Sequence, residues 1–312
     1  MTVAPSSYPA NPPICVALVV VLLLLLFFKL YQLCKSEEDD PPGFNEAFSV
    51  VKRNTGEAIR LGESRLTNVP TGTLFFFRLA LWLFIVVTWT KIILASKDGM
   101  MWNTYTFWNF NLIHAYFLMG TIQSYQSMQR QKSGAAEGGS HGSGGQSYEQ
   151  TLLNKAHLVC GAVALSTCLI VTLVVWLVLY PNSIKHDGHK KAAAHYLRYD
   201  SIVEHVFNTL FLAADFYLST IKIVRKLMIF VCLWPCLYSI DFLRVWFTTG
   251  EAVYPFLALD RMLSPLLLLL LFSIHAGLCE LWVRLSNCKQ QNQASESERS
   301  GLLEEADMHN TL

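Results

Sequence analysis

Two apolar runs constrain the fold of this chain more than any other feature. Residues 14–28 read ICVALVVVLLLLLFF, and residues 263–278 read LSPLLLLLLFSIHAGL. A helix that crosses a bilayer needs about 20 mostly apolar residues, and these runs meet that requirement together with their flanks. Charged residues make up 15% of the 312 residues, whereas about a quarter is usual in soluble proteins. The sequence therefore predicts an all-α fold, a polytopic transmembrane helix bundle.

The hydrophobic pattern predicts six core spans preceded by one N-terminal span. All of them are expected to be helices, because an unpaired backbone amide in lipid costs several kcal/mol. The first span is interpreted as a signal anchor, since no basic residue precedes it and no A-x-A-like cleavage site follows it. The predicted spans cover residues 14–34, 73–96, 102–125, 157–180, 202–223, 227–248 and 263–285.

These spans divide the chain into four regions. The Gly- and Ser-rich stretch between the third and fourth spans predicts a flexible loop at residues 133–147. The four regions are an N-terminal tail with its signal anchor (1–34), a cytosolic linker with an amphipathic helix near residues 45–62 (35–72), the six-span core bundle (73–288) and a disordered cytosolic tail (289–312).

Basic residues predict the orientation in the membrane. With the N-terminus in the lumen or outside the cell, fourteen Lys and Arg residues of the loops and tail fall on the cytosolic side and six on the other. Cytosolic loops carry the excess of basic residues in membrane proteins. The chain is thus predicted to have a cytosolic C-terminus, in an endomembrane or the plasma membrane. The loop 181–201 fits this rule least, because it carries four of the six Lys and Arg residues on the non-cytosolic side.

Polar side chains form stripes on two of the predicted spans. Thr106 and Asn109 share one helix face, and His205, Asn208 and Asp215 share another, since a helix turns about 100° per residue. Polar side chains at membrane depth usually face the bundle interior. In the predicted orientation, Thr106 and His205 each lie about one turn in from the same membrane surface.

A threonine and a histidine at one depth allow two interpretations. A threonine hydroxyl becomes a nucleophile when an adjacent base accepts its proton, and histidine is the usual base. Polar side chains in membrane bundles also serve as interhelical hydrogen-bond partners. Asp215 lies about 15 Å along the helix from His205, so it is expected to pair with another helix. Tyr254, in the loop between the last two spans, is expected at the depth of Thr106 and His205.

Three segments resemble a known family in the same order and spacing. TYTFWNFNLIHAYF (104–117), EHVFNTLFLAADFYLS (204–219) and YSIDFLRVWFTTGEAVYPFLALD (238–260) are similar to motifs of the androgen-induced and Rolling-stone family of integral membrane proteins. The similarity runs from about residue 75 to residue 285. The later motifs look more like the Rolling-stone branch than the androgen-induced branch.

The resemblance implies a lipid-ester hydrolase. Members of the androgen-induced branch are intramembrane threonine hydrolases that cleave fatty-acid esters of hydroxy fatty acids. By motif, Thr106 is the nucleophile and His205 the base; Thr104 does not stand two residues before Trp108, as the motif requires. Hydrolysis of such a membrane lipid needs no cofactor and no metal. The residues expected to contact the substrate or its oxyanion are Trp108, Asn109, Asn208 and Tyr254.

Other interpretations are kept beside this one. The Rolling-stone branch is associated with myoblast fusion, and the tail motif ERSGLL resembles the dileucine signal that clathrin adaptors bind, through Glu298, Leu302 and Leu303. These features predict a non-enzymatic adaptor or fusion and trafficking protein. Transport is disfavoured because no broken-helix pair or repeat is visible, and the net charge of +1 disfavours nucleic-acid binding. His186 and His189 would bind a metal only with further ligands.

Overall fold

The computed structural model describes residues 12–39, 70–96, 99–136, 152–259 and 261–310, and this part of the chain is helical without strands. Short 3₁₀ turns lie at Met100–Asn103, Arg225–Leu227 and Pro255–Leu257, and π-helical turns lie at Val175–Leu179 and Val203–Phe207. The α-helices are α1 (Pro12–Asp39), α2 (Thr71–Ala95), α3 (Tyr105–Ala136), α4 (Leu152–Val174), α5 (Tyr180–Asp187), α6 (His189–Tyr196), α7 (Tyr199–Ile202), α8 (Asn208–Leu218), α9 (Met228–Thr249) and α10 (Ser264–Asn310).

Among the described residues, four helical segments are long and apolar enough to cross a membrane. They are Thr71–Ala95, Leu152–Asp187, Arg225–Thr249 and Ser264–Asn292, and each overlaps one predicted span. The prediction of an all-α fold with helices able to span a membrane is thus confirmed, whereas the count of six core spans plus one stays a prediction. The predicted span 102–125 and residues 202–218 of the predicted span 202–223 also lie mostly in helices, but their polar side chains lower the mean hydropathy. In α1, the apolar stretch is Pro13–Lys29.

The outward faces of these helices are apolar. Phe76 of α2 is 64% exposed, and Leu266 of α10 is 62% exposed. Large contiguous apolar surfaces are rare on soluble monomers and mark contact with lipid or a partner. The other strongly exposed apolar side chains on the long helices include Leu24, Leu25, Leu83, Val87, Leu94, Leu177, Phe247, Leu269 and Leu270.

Helix α3 contributes the centre of the core. Phe110, Ile113 and Phe117 are fully buried on it and pack with side chains of α4 and α8. A Cβ atom placed on Gly161 of α4 would lie 2.9 Å from Cε2 of Tyr116. Only glycine therefore allows α3 and α4 their observed approach, as small residues do at helix contacts in membranes.

A buried polar network joins α2, α3 and α8. The guanidinium of Arg78 donates from Nε to Oδ1 of Asp215 at 2.6 Å and from Nη2 to Oδ2 at 3.0 Å. The hydroxyl of Tyr116 donates to Oδ2 at 2.5 Å, and Arg78 Nη1 donates to Oγ of Ser124 at 2.9 Å. The expected pairing of Asp215 with another helix is confirmed, and its partner is Arg78.

Helix α8 ends at Leu218, five residues before the predicted end of its span. Ser219 and Val224 have extended backbone, and the chain between them does not form a helix. Lys289 of α10 donates to the carbonyl oxygens of Phe216, Ser219 and Ile221 at 2.6, 2.7 and 2.9 Å. A lysine ammonium thus satisfies carbonyls at a helix C-terminus, where a positive charge is favourable.

Several predicted segments fall wholly or partly outside the described residues. The helix expected near 45–62 and most of the loop 133–147 belong to this group; residues 133–136 form the end of α3. Helix α1 continues to Asp39, into the predicted linker. Helix α10 continues to Asn310, through residues where a disordered tail was expected. That stretch is rich in Glu, Gln, Ala and Leu, which have high helix propensity.

Candidate functional site

Several helices meet at one end of the bundle around a cavity of about 430 Å³. The C-terminal end of α2 and the N-terminal end of α3 both reach it, and the loop after α9 borders it as well. These helices therefore alternate in direction, as the predicted topology requires. The cavity is lined by Ile92, Ala95, Ser96, Met101, Thr104, Thr106, Phe107, Val175, Leu179, His195, Tyr196, Arg198, Asp200, Glu204, His205, Val253 and Tyr254.

The first turn of α3 places Thr106 at this cavity. Thr104 precedes the helix with extended backbone, and its Oγ1 accepts a hydrogen bond from the amide of Phe107 at 3.2 Å. The same hydroxyl donates to the carbonyl of Met101 at 2.8 Å. Thr104 is thus the N-cap of α3. Its hydroxyl is engaged in capping, whereas the Thr106 hydroxyl is not.

Tyr254 lies directly against the start of α3. Its hydroxyl accepts a hydrogen bond from the amide of Tyr105 at 3.0 Å, and Tyr254 and Thr106 line the same cavity. Burial raises the pKa of the Tyr254 hydroxyl. The phenol therefore stays protonated at neutral pH and can donate a hydrogen bond to an oxygen beside Thr106.

His205 belongs to the π-helical turn Val203–Phe207 and is 8% exposed. A π turn leaves the backbone hydrogen bonding irregular, and such turns are frequent at functional sites. The carbonyl of His205 accepts a hydrogen bond from Nε1 of Trp176 at 3.3 Å. Within the described part of the chain, its Nδ1 is buried and has no hydrogen-bond partner.

A second π turn, Val175–Leu179, faces the same cavity. Pro181 follows it and lacks the amide hydrogen that a regular helix would use, which explains the irregularity at this point. Val175 and Leu179 line the cavity. The hydrogen bond from Trp176 to the carbonyl of His205 joins the two irregular turns, and residues of both line the cavity.

Thr106 and His205 line the same cavity, but no hydrogen bond joins them in this structure. Two carboxylates, Asp200 and Glu204, also line it. Hydrogen bonds from Arg198 lower the pKa of Asp200, so that carboxyl stays ionised. Neither carboxylate hydrogen-bonds the imidazole of His205. The site therefore has a hydroxyl, a neighbouring phenol and an imidazole, without an acid that orients the imidazole.

The remaining sequence-predicted contact residues lie outside the lining of this cavity. Asn109 Oδ1 accepts from Nε1 of Trp234 at 2.8 Å, and Asn208 Nδ2 donates to the carbonyl of Glu204 at 3.1 Å. Trp108 Nε1 donates to the carbonyl of Trp102 at 3.0 Å. Two other polar side chains of α3 accept hydrogen bonds from indoles of α2: Trp89 donates to Asn111 at 2.8 Å and Trp82 to His114 at 3.4 Å.

A smaller, apolar cavity of about 80 Å³ adjoins Thr106 on its other side. Thr106, Tyr254, Val175 and Leu179 line both cavities. Its walls come from α4, α9 and α10, and its polar residues include His275, whose Nε2 lies 2.7 Å from the hydroxyl of Tyr105. In the sequence, His275 stands out only as one histidine in a run of leucines.

Other predicted features do not contribute to this site. Among the side chains that the structure describes, no three His, Cys, Asp or Glu residues gather as a metal site. Glu298, Leu302 and Leu303 lie on the C-terminal part of α10. Comparisons with protein-family models, with curated proteins and with solved structures give no match to this chain.

Proposed function

We propose that this protein is an intramembrane lipid-ester hydrolase with Thr106 as nucleophile and His205 as base. The observation that carries the proposal is that Thr106 of α3, His205 of the π turn and Tyr254 of the loop after α9 line one cavity. The adjoining apolar cavity offers space for part of an acyl chain. The resemblance to the androgen-induced and Rolling-stone family supports the same residues, with fatty-acid esters of hydroxy fatty acids, or similar lipids, as substrates.

The proposed reaction has two steps. Thr106 Oγ1 attacks the ester carbonyl, and its proton passes to His205; the tetrahedral intermediate then collapses as the alcohol leaves with that proton. Water next attacks the acyl-threonine ester, with His205 again as base, and releases the fatty acid. The Tyr254 hydroxyl is positioned beside Thr106 to donate to the developing oxyanion, a contribution that preorganised donors commonly make.

The membrane provides the route of the substrate. An ester of two acyl chains partitions into the bilayer and can enter between helices. We place the N-terminus and the cavity on the lumenal or extracellular side and the C-terminus in the cytosol, in an endomembrane or the plasma membrane. The distribution of Lys and Arg residues supports this orientation.

The proposal is tested by labelling purified protein with a fluorophosphonate of lipid-like length, followed by an assay of a lipid ester. Wild type and Thr106→Ser are expected to react, and Thr106→Ala and His205→Ala are expected to lose labelling and hydrolysis. Thr90→Ala is the matched control, because the Thr90 hydroxyl is exposed and bonds only its own helix at Val86 O.

The alternative is the non-enzymatic adaptor, and it makes the opposite prediction. A folded wild-type protein that neither reacts with the probe nor hydrolyses lipid esters would contradict the hydrolase proposal. If cellular distribution then depends on Leu302 and Leu303 and not on Thr106 or His205, the adaptor interpretation replaces it.

A further inference from the structure

The α5–α6 hairpin encloses a second large cavity, of about 860 Å³, beside the Thr106 cavity. Three cationic side chains line it, Lys185, Lys191 and Arg261, against one carboxylate, Asp187. Neither Lys185 nor Lys191 has an ion-pair partner in the part of the chain that the structure describes. Lys185 and Lys191 therefore outnumber the carboxylate of Asp187 among the described lining residues.

The walls of this cavity are apolar on one side. Leu177, Val178 and Leu179 of the π turn Val175–Leu179 line it together with Phe256. Leu177 and Val178 are 69% and 45% exposed, so the apolar wall continues onto the outer face of the bundle. A cationic rim above an apolar wall matches an amphiphile, whose head carries the charge and whose chain follows the wall. A soluble anion would use only the rim.

The two large cavities adjoin each other. Leu179, His195 and Tyr196 line both of them. Lys185 and Lys191 thus line a cavity next to the one that Thr106 lines. Anion binding would also explain why the loop 181–201 carries several basic residues. Basic residues are usually less frequent on the non-cytosolic side of a membrane protein.

We propose that Lys185, Lys191 and Arg261 form a binding site for the negatively charged head group, carboxylate or phosphate, of a membrane amphiphile. Binding at this site does not depend on catalysis. That the bound amphiphile is also the substrate, with its ester at Thr106, rests on the proposed function. Charge-assisted hydrogen bonds to carboxylate or phosphate are the strong contacts expected here.

The test measures binding on full-length protein carrying Thr106→Ala, in a non-ionic detergent, with a dansylated undecanoic acid as the fluorescent probe. Oleate, methyl oleate and inorganic phosphate are the competitors. Oleate is expected to displace the probe at a concentration at least about tenfold lower than methyl oleate, because only oleate carries the charge. Inorganic phosphate is expected not to displace it.

Charge-reversal variants distinguish binding inside the cavity from a general effect of the positive charge of the α5–α6 hairpin. Lys185→Glu with Lys191→Glu is expected to weaken probe binding by about tenfold or more. Lys190→Glu is the matched control, since Lys190 is exposed on the same hairpin and does not line the cavity; its affinity should stay within about twofold.

Three outcomes would overturn the proposal. Equal affinity of the double variant and the Lys190→Glu control would show that the cavity does not bind the head group. Equal displacement by oleate and methyl oleate would show that the charge is not recognised. Displacement by inorganic phosphate at the concentration at which oleate acts would assign the site to a soluble anion. Because the assay uses Thr106→Ala, none of these results depends on hydrolysis, and a failed hydrolysis assay leaves this proposal intact.

Discussion

Arg78 and Asp215 form a bidentate ion pair in which neither side chain is exposed to solvent, with Nε and Oδ1 2.6 Å apart. The pair joins helices whose paired residues are 137 positions apart in the sequence. Tyr116 and Ser124 of α3 complete its hydrogen bonds. It lies in the core of the bundle, where two charges are costly unless each is paired and hydrogen-bonded.

Removing one partner of this pair should destabilise the protein strongly. Asp215→Asn leaves the guanidinium of Arg78 buried without a counter-charge, and we expect a loss of about 3–5 kcal/mol of unfolding free energy. Thermal unfolding of purified protein in detergent measures it. The double variant Arg78→Met with Asp215→Leu is expected to be more stable than Arg78→Met alone or Asp215→Leu alone. Additive losses in the double variant would contradict a coupled pair.

Two helix glycines should respond oppositely to alanine. Gly161→Ala places a methyl group 2.9 Å from Cε2 of Tyr116, a ring held by its bond to Asp215, and overpacking of this kind costs about 1–3 kcal/mol. Gly277 of α10 has no atom within 4 Å of an added Cβ, so Gly277→Ala should be neutral or stabilising by up to about 1 kcal/mol. Comparison of the two melting temperatures tests this, and equal shifts would contradict the close α3–α4 contact.

Lys289 should be more important for stability than its position after the last predicted span suggests. Lys289→Met removes the donor from three carbonyl oxygens, and each buried group left unpaired costs about 1–3 kcal/mol. We expect a loss of about 3 kcal/mol or more and faster proteolysis near residues 219–224. Arg284→Met, on an exposed side chain paired with Glu280 at 3.5 Å, is the control and should change stability by less than about 1 kcal/mol.

If the hydrolase proposal holds, the Tyr254 hydroxyl contributes to the rate. Tyr254→Phe keeps the ring and removes the donor beside Thr106, so kcat should fall about 100-fold. It also leaves the amide of Tyr105 without its acceptor, so stability should fall by about 1 kcal/mol. Tyr199→Phe is the matched control; its hydroxyl lies 3.3 Å from Thr88 Oγ1, and the residue does not line the cavity. A Tyr254→Phe enzyme with wild-type kcat would exclude the phenol as oxyanion donor.

The fold class could be predicted from the sequence because apolar runs long enough to span a membrane leave few alternatives. The same patterns did not reveal how the helices are held together. Arg78 lies inside an apolar helix with nothing nearby in sequence to neutralise it, and its partner is on a distant helix. The early end of α8 was also missed, because residues 219–223 contain no Gly or Pro that would indicate a helix end, and the carbonyls there depend on a lysine far along the chain.

The candidate site could be predicted in part. Helix periodicity and the basic-residue count placed Thr106 and His205 at one depth, and both line one cavity. The roles expected for Asn109 and Asn208 depended on knowing which face of each helix meets which neighbour, and periodicity does not give that. Both amides instead bond within the bundle. The π turns that carry His205 and Leu179 shift side chains away from the regular 100° positions, which a pattern analysis assumes throughout.

The contacts of Lys289 have a consequence for biosynthesis. The carbonyls it binds belong to residues that are synthesised 68 to 73 positions earlier. Until residue 289 has been synthesised and α10 has entered the bundle, the carbonyls at the end of α8 lack the Lys289 ammonium as a donor. The extended conformation of residues 219–224 is not stabilised by these hydrogen bonds before that point. The C-terminal end of α8 therefore stays incompletely folded while α9 is inserted. It reaches its final structure only when α10 has been inserted.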